Sequence, residues 1–292
     1  MSMISGRLQH TVVGRTSVTG YGYWSGKDVR IEFRPAAPGA GITFVRSDLG
    51  PLARVPATVE HREECPRRTN LRCGPAHVEM VEHVLAALAG LHVDNCEIWT
   101  NQPEMPGCDG SAASFVDALL RARIVPQSAP AATLHVAERI RVGDDEQWIE
   151  AAPSDDGQLH IEFQLDYPHA PAIGRQTAHA TATPEGFRRD LACSRTFLLQ
   201  DEADALRAQG LGERVTPHDL LVFDERGPIN NRLRFPNECA RHKALDVLGD
   251  LALAGLRVAG RIVARRSGHR LHAELTRQLV KRFAATPLRA SA

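Results

Sequence analysis

Apolar positions recur at helical spacing between Asn237 and Leu256, and three ionisable side chains interrupt them. His242, Asp246 and Asp250 follow one another at four-residue intervals, which places them on one face of an α-helix. Most of the other positions are Ala, Leu or Val, so the pattern predicts a buried or half-buried helix with one polar stripe. Burying such groups is costly unless they bind a metal or each other. The stripe is therefore the first candidate for chemistry.

The first half of the chain combines alternating and helical patterns. The alternation in DVRIEFR is typical of a half-buried strand. The predicted elements are a glycine-rich turn over 20–26, strands over 28–34 and 94–100, and helices over 76–91 and 110–123. The segment 126–133 (PQSAPAAT) is small, polar and proline-bearing, so it is the best linker candidate.

The second half begins again with strand patterns. The predicted strands are 133–142, 160–167, 219–224 and 258–264, and the predicted helices, besides the polar-striped one, are 184–192, 202–209 and 271–283. The tripeptide IEF occurs at 31–33 and again at 161–163, a weak hint of internal duplication. Strands and helices are grouped rather than strictly alternating, which favours two α+β domains over a doubly wound sheet. We place them at 1–128 and 129–292.

Composition excludes several classes of function. The 292 residues contain 35 basic and 35 acidic side chains, so bulk charge attracts neither nucleic acid nor a membrane surface. No run approaches membrane-spanning length, and residues 1–15 lack an apolar signal core, which predicts a cytoplasmic protein without membrane insertion. The six cysteines form no CxxC pair, so free thiols are expected and a zinc–cysteine site is not.

Two pairs of side chains are candidates for a metal site: His242 with Asp246 by their spacing, and Glu82 with His83 by their chemistry. His242 and Asp246 can reach one ion across a helical turn, and an imidazole with a carboxylate suits zinc. The alternative is a helix salt bridge on a solvated face. Glu82 and His83 lie together in a second apolar helical pattern, where the histidine would hold the ion and the carboxylate would take a proton from water. The alternative there is a surface pair of Glu79 with His83.

Two further residues are weaker candidates. His269, in the turn Ser-Gly-His, could act as a general acid or stabilise an oxyanion as imidazolium; the alternative is a capping turn with a solvated histidine. Thr196 could donate a hydroxyl hydrogen bond, or it could simply end a strand.

Taken together, these segments resemble the UDP-3-O-acyl-N-acetylglucosamine deacetylases (LpxC), the zinc amidases of lipid A biosynthesis in Gram-negative-type bacteria. The resemblance covers nearly the whole chain. Each motif alone is a modest signal, but their occurrence together in the family order is highly specific. The matching strings are GYGYWSGKDV (20–29), TNL (69–71), VEHVLAALAGLHVDN (81–95), PEMPGCDGSAASFV (103–116), SRTF (194–197), LRFPNECARHKALDVLGDL (233–251) and SGH (267–269).

The resemblance implies a role for each ionisable residue of the motifs. His83, His242 and Asp246 would hold one zinc ion per chain, with water in the fourth position; iron(II) can share such ligands. Glu82 would be the general base.

Further roles follow from the same resemblance. Thr196 would donate to the oxyanion, protonated His269 would stabilise that charge and protonate the leaving amine, and Asp250 would orient His269. Lys243 matches a lysine near the phosphate and sugar oxygens of the substrate. The aromatic residues implied to line the nucleotide-sugar site are Phe197 and Tyr167.

The family fold implied is two similar α+β domains, each a layer of helices packed on a β-sheet, with the active site in the cleft between them. An inserted element at Leu198–Phe223 would form a hydrophobic passage for the acyl chain. Trp24, Met80 and the pair Gly107-Cys108 depart from the commoner family pattern, and Trp24 puts the preferred acyl chain in doubt.

The function expected is hydrolytic removal of acetate from a UDP-3-O-acyl-N-acetylglucosamine by a monomer that binds no nucleic acid. One alternative is a zinc amidase for another N-acetylated sugar. The other is a non-catalytic nucleotide-sugar-binding homologue.

Overall fold

A computed structural model describes residues 6–285. Within this range the chain forms six α-helices and eighteen strands in several sheets, a mixed architecture consistent with the predicted α+β class. The helices are α1 (Glu82–Gly90), α2 (Ala113–Ala122), α3 (Pro184–Asp190), α4 (Gln200–Arg207), α5 (Glu238–Leu251) and α6 (His269–Ala285).

Nine strands lie on each side of residue 123. Those of the first half are β1 (Leu8–Val12), β2 (Thr16–Tyr21), β3 (Asp28–Pro35), β4 (Ile42–Arg46), β5 (Arg54–Pro56), β6 (Arg62–Glu63), β7 (Asn70–Cys73), β8 (Ala76–Val78) and β9 (Cys96–Thr100). Those of the second half are β10 (Ile124–Pro130), β11 (Thr133–His135), β12 (Ile140–Gly143), β13 (Trp148–Ala152), β14 (Leu159–Tyr167), β15 (Gly174–Thr181), β16 (Phe197–Leu199), β17 (Leu221–Phe223) and β18 (Arg257–Arg265).

Each half contributes one large sheet. The first has the order β2-β3-β9-β4-β5, and its only parallel pair among the described strands is β4 with β9. The second has the order β12-β13-β18-β14-β15, with β11 also paired to β18. The alternation read in the sequence holds in β3, where Val29, Ile31 and Phe33 are buried between more exposed charged residues. One face of each sheet therefore supplies the core.

Helices α1 and α5 pack against each other. Helix α5 packs on β14 and β15 and also against α1 and α6. Helix α1 is apolar on nearly every side, and all of its residues from Glu82 to Leu88 are buried. A helix with no solvated face belongs in the interior, so the ionisable groups at its start are held away from bulk water.

Several sequence predictions need correction. The helix predicted over 76–91 begins only at Glu82, because 76–78 form β8 and Met80 has a positive φ of 57°, which the right-handed helix forbids. The segment predicted as a linker, 126–133, lies largely in β10, which pairs antiparallel with β1. The single strand predicted over 133–142 is two strands, β11 and β12.

Other predictions agree with the structure. All six cysteines are unpaired, as their spacing predicted. Among the described residues no helix is both long and apolar enough to cross a membrane. The outermost residues of the two predicted domains, 1–5 and 286–292, lie outside the described part of the chain.

Candidate metal centre and active site

Three side chains from α1 and α5 converge on one point. His83 Nε2 lies 3.6 Å and His242 Nε2 lies 3.5 Å from Asp246 Oδ1. The three candidate ligand atoms all fall within 4.8 Å of one another, and all three residues are buried. The alternative of a solvated helix pair is therefore wrong for His242 and Asp246. The four-residue spacing brings two of the groups together, and the packing of α1 against α5 adds the third.

The hydrogen bonds around this group leave one carboxylate oxygen of Asp246 without a protein partner among the described residues. Asp246 Oδ2 accepts a hydrogen bond from Lys243 Nζ at 3.0 Å, whereas the buried Oδ1 has no hydrogen-bond partner among the described residues. His242 Nδ1 lies 3.1 Å from the carbonyl oxygen of Ser194, so this nitrogen carries the proton and Nε2 keeps its lone pair. Burial lowers the pKa of His242 to about 3, which keeps the imidazole neutral.

An orphaned buried carboxylate oxygen between two imidazole nitrogens is costly unless a cation binds there. Two nitrogens and one oxygen are a donor set that zinc accepts, with a fourth position left for water or substrate. The residues present therefore fit a catalytic metal ion.

Glu82 is the first residue of α1 and lies beside the three candidate ligands. Its Oε2 accepts the backbone N–H of Thr69 at 3.0 Å. Burial raises the pKa of this carboxyl against the opposing charges of His269 and His83, which suits a base that must take up a proton. The alternative pairing of Glu79 with His83 is wrong, because Glu79 precedes the helix and contacts Arg68 at 3.2 Å.

A second buried cluster surrounds Asp250. Its Oδ2 lies 2.7 Å from His269 Nδ1 and 2.7 Å from His272 Nδ1, and its Oδ1 accepts the hydroxyl of Thr69 at 2.5 Å. Burial disfavours the charged form of His269, but the carboxylates of Asp250, Glu82 and Asp246 outweigh it and raise its pKa to about 9. His269 is 7% exposed, so the alternative of a solvated capping histidine is wrong.

A buried ion pair fixes the SRTF segment against α5. Arg195 Nε donates to Glu238 Oε1 at 2.8 Å, and the same oxygen accepts the Arg195 backbone N–H at 3.1 Å. The next residue, Thr196, has its Oγ1 3.1 Å from His242 Nε2 and 3.1 Å from the carbonyl oxygen of Gly110. The hydroxyl is thereby held at the edge of the three candidate metal ligands.

Aromatic side chains form a wall beside the same group. The rings of Tyr167 and Phe197 meet edge to face with centroids 5.6 Å apart. Lys243 Nζ lies 5.7 Å from the centroid of Phe197, within the range of a cation–π contact. Lys243, the two aromatic rings and Asp246 therefore lie on one side of the site.

A cavity of about 490 Å³ opens onto these residues. Glu82, His83, Thr196, Asp246 and His269 line it at the polar end. The apolar end is formed mainly by the segment over 198–222 and by Tyr23, Trp24 and Met80. The lining residues of that segment are Leu198, Ala203, Leu206, Leu211, Val215, Leu220 and Val222.

Some residues of the site carried no signal in our reading of the sequence. Thr69 lies in the TNL string but has no spacing that links it to Asp250, 181 positions away. Ser267 lies in the SGH string, but no sequence pattern linked it to His272, three positions after His269. Arg195 lies in a matched string, but the burial of its charge against Glu238 follows only from the fold.

The family model described as UDP-3-O-acyl N-acetylglycosamine deacetylase (LpxC) matches residues 9–281. The chain belongs to the LpxC family. Its relatives are named as deacetylases, enzymes that hydrolyse an amide, so the resemblance read from the motifs is confirmed, and membership implies a metal-dependent enzyme.

Curated LpxC proteins match over almost the full chain. A UDP-3-O-acyl-N-acetylglucosamine deacetylase of Anaeromyxobacter sp. is 38% identical over 93% of this chain and 88% of its own length. That of Thermosynechococcus vestitus is 36% identical over 94% of each chain. That of Psychrobacter arcticus is 37% identical over 93% of this chain and 85% of its own.

Proposed function

We propose that this protein hydrolyses the N-acetyl group of UDP-3-O-[(3R)-3-hydroxyacyl]-N-acetylglucosamine, giving the free amine and acetate, an early committed step of lipid A biosynthesis. The observation that carries the proposal is the orphaned Asp246 Oδ1 between two histidine nitrogens, with a buried carboxyl and a protonated imidazole nearby. Family membership supports the same reaction and substrate class.

The metal ion is one zinc per chain, held by His83, His242 and Asp246, and iron(II) suits the same donors. When bound, such an ion lowers the pKa of a water molecule and polarises the amide carbonyl. Lys243 holds the second oxygen of Asp246, which fixes the carboxylate in the orientation that leaves Oδ1 toward the histidines.

Proton transfers are assigned to two residues with opposite tasks. Glu82, with a raised pKa, takes the proton from the attacking water. His269, protonated because its pKa is about 9, stabilises the developing oxyanion and gives its proton to the leaving amine. Asp250 orients His269 through Nδ1, and the Thr196 hydroxyl donates to the oxyanion.

Substrate recognition is assigned to the two ends of the cavity. Lys243 contacts phosphate and sugar oxygens, and Phe197 and Tyr167 line the nucleotide-sugar site. The apolar end, formed by the segment 198–223 with Trp24 and Met80, accepts the acyl chain.

The proposal extends to the domain organisation. Residues 1–128 and 129–292 form two similar domains, and the active site lies in the cleft between them. The two large sheets and the meeting of α1 with α5 support this division, although its boundary falls within β10. A cytoplasmic monomer remains the expected state.

The decisive experiment is release of acetate from purified UDP-3-O-acyl-N-acetylglucosamines of several acyl lengths. Turnover is expected with zinc bound, and Glu82→Gln should lower kcat by at least about a hundredfold without loss of metal. Absence of turnover at every acyl length would overturn the proposal. Turnover of another N-acetylated sugar alone would favour the alternative amidase, and a folded protein that never retains zinc would favour a non-catalytic homologue.

A further inference from the structure

His272 is a buried histidine that neither metal binding nor proton transfer uses. It lies in α6, one helical turn after His269, and is 0% exposed. Its Nδ1 is 2.7 Å from Asp250 Oδ2 and its Nε2 is 2.9 Å from Ser267 Oγ. Both ring nitrogens are therefore engaged within the protein.

The hydrogen bonds define which atoms carry protons. An ionised carboxylate only accepts hydrogen bonds, so both imidazoles at 2.7 Å from Asp250 Oδ2 present Nδ1–H groups to it. A neutral His272 with its proton on Nδ1 leaves Nε2 to accept the hydroxyl of Ser267. Burial lowers the pKa of His272, in agreement with this neutral tautomer. The hydroxyl of Thr69 supplies a third donor, to Oδ1.

We propose that His272 is a positioning residue for proton donation by His269. Its Nδ1–H and the Thr69 hydroxyl fix the Asp250 carboxylate from two sides, so that Oδ2 receives the His269 Nδ1–H in one orientation. His269 lines the cavity, and its Nε2 is then the ring nitrogen left to act there. This inference rests on the proposed role of His269 as the proton donor.

A second metal ion is the competing account of this cluster, because the candidate ligand atoms of Asp250, His269 and His272 also lie within 4.8 Å of one another. The contacts favour hydrogen bonds instead. Both distances to Oδ2 are of charge-assisted hydrogen-bond length, and Ser267 occupies the remaining nitrogen of His272. Metal analysis separates the two accounts.

The test compares His272→Phe, which keeps a ring but removes both hydrogen bonds, with His272→Asn, whose amide N–H can still donate to Asp250. Loss of a hydrogen-bond partner that orients a metal ligand costs about 10–100-fold in metal affinity or activity, and we take this range for a partner that orients Asp250. We expect a loss of kcat of that size in His272→Phe, with KM and metal content unchanged, and recovery of most of the loss in His272→Asn. Thr276→Val removes a buried hydroxyl of the same helix that donates to the backbone carbonyl of His272 and touches neither ring nitrogen, so it should leave kcat unchanged.

Wild-type kcat in a folded His272→Phe protein, or loss of a second equivalent of metal from it, would overturn the proposal. So would a rise of KM with no change in kcat. If His272→Phe does not fold, the Asn variant and a nitrogen-15 NMR spectrum of the wild-type imidazoles decide the matter. The spectrum should show His272 as the neutral Nδ1–H tautomer, and the Nε2–H tautomer would refute the arrangement. That measurement needs no turnover, so failure of the deacetylase assay itself would count against the proposed function and not against this arrangement.

Discussion

Gly249 of α5 lies against the backbone of Glu82 at the start of α1. A Cβ atom built on Gly249 would come 2.1 Å from the Glu82 carbonyl oxygen, a distance that no real side chain tolerates. The absence of a side chain at this one position therefore sets how closely the two helices approach. Because α1 carries His83 and α5 carries His242 and Asp246, the same contact sets the spacing of the three candidate metal ligands.

Gly249→Ala should destabilise the fold and weaken metal binding together. Overpacking of a core lowers the free energy of unfolding by about 1–3 kcal/mol. The better helix propensity of alanine raises it by about 1 kcal/mol. Because the obstacle is backbone and not a flexible side chain, we expect a net loss of about 1–2 kcal/mol in the free energy of unfolding. Denaturant unfolding and zinc titration measure the two effects.

Gly14→Ala, between β1 and β2, is a control for the addition of a methyl group without overpacking. A Cβ at Gly14 would make only ordinary contact, at 3.9 Å from the Ala122 carbonyl oxygen. Equal stability of the Gly249→Ala and wild-type proteins would show that the helices can separate without cost, and would remove the close approach as a determinant of the site.

The local parts of this site could be predicted from the sequence, and the long-range parts could not. The four-residue spacing of His242, Asp246 and Asp250 predicted one helix face, and α5 has that face buried. The early start predicted for α1 was wrong because the break at Met80 is a backbone conformation that hydrophobic periodicity does not encode. The linker prediction for 126–133 was wrong because composition alone does not show that this segment pairs with β1, more than 100 positions away.

The hydrogen-bonded surroundings of Asp250 illustrate the same limit. Thr69 and His272 come from opposite halves of the chain, and only the packing of the fold brings them to one carboxylate. Neither residue forms a spacing pattern with Asp250, so no periodicity argument could find them. The family resemblance supplied the link from Asp250 to His269, but not these further partners.

Asp246→Asn should lower zinc affinity while leaving the fold intact. The substitution keeps the size of the side chain but removes the negative charge between His83 and His242. Since metal-site carboxylates supply charge as well as a donor oxygen, we expect loss of bound zinc on dialysis and loss of activity that excess zinc partly restores. Asp190→Asn changes a carboxylate on α3 outside the site and should retain zinc. A full equivalent of tightly bound zinc in Asp246→Asn would remove Asp246 from the proposed ligands.

The pH dependence of kcat/KM should be bell-shaped. Glu82 acts as a base only when ionised, and its pKa is raised above the usual range by burial, so activity is lost as the pH falls through that pKa. His269 acts only when protonated, and its pKa of about 9 means that activity is lost as the pH rises through this value. A bound cation favours the carboxylate and disfavours the imidazolium, so the alkaline limb should lie at or below pH 9.

His269→Ala identifies the alkaline limb. The residual activity of this variant should be low. It should also lose the fall at high pH, because the imidazole whose deprotonation causes that fall is absent. A wild-type rate that climbs steadily to high pH, or an unchanged alkaline limb in the variant, would contradict the assignment of His269 as the proton donor.

Ala203→Trp should shift the preference of the enzyme toward shorter acyl chains. Ala203 is a buried residue of α4 in the apolar end of the cavity, where it packs with Leu220 and Val222. An indole in place of the methyl group fills part of the volume assigned to the acyl chain, so each methylene excluded costs about 0.8 kcal/mol of burial. Long-chain substrates should therefore lose kcat/KM while short-chain substrates keep it.

Ala205→Trp on the same helix is the control, because Ala205 is exposed and its substitution changes α4 without entering the cavity. The measurement is kcat/KM across a series of acyl lengths for both variants and the wild type. Equal losses at every length in Ala203→Trp would indicate general damage to the site, and the acyl chain would then have to bind elsewhere than along the segment 198–223.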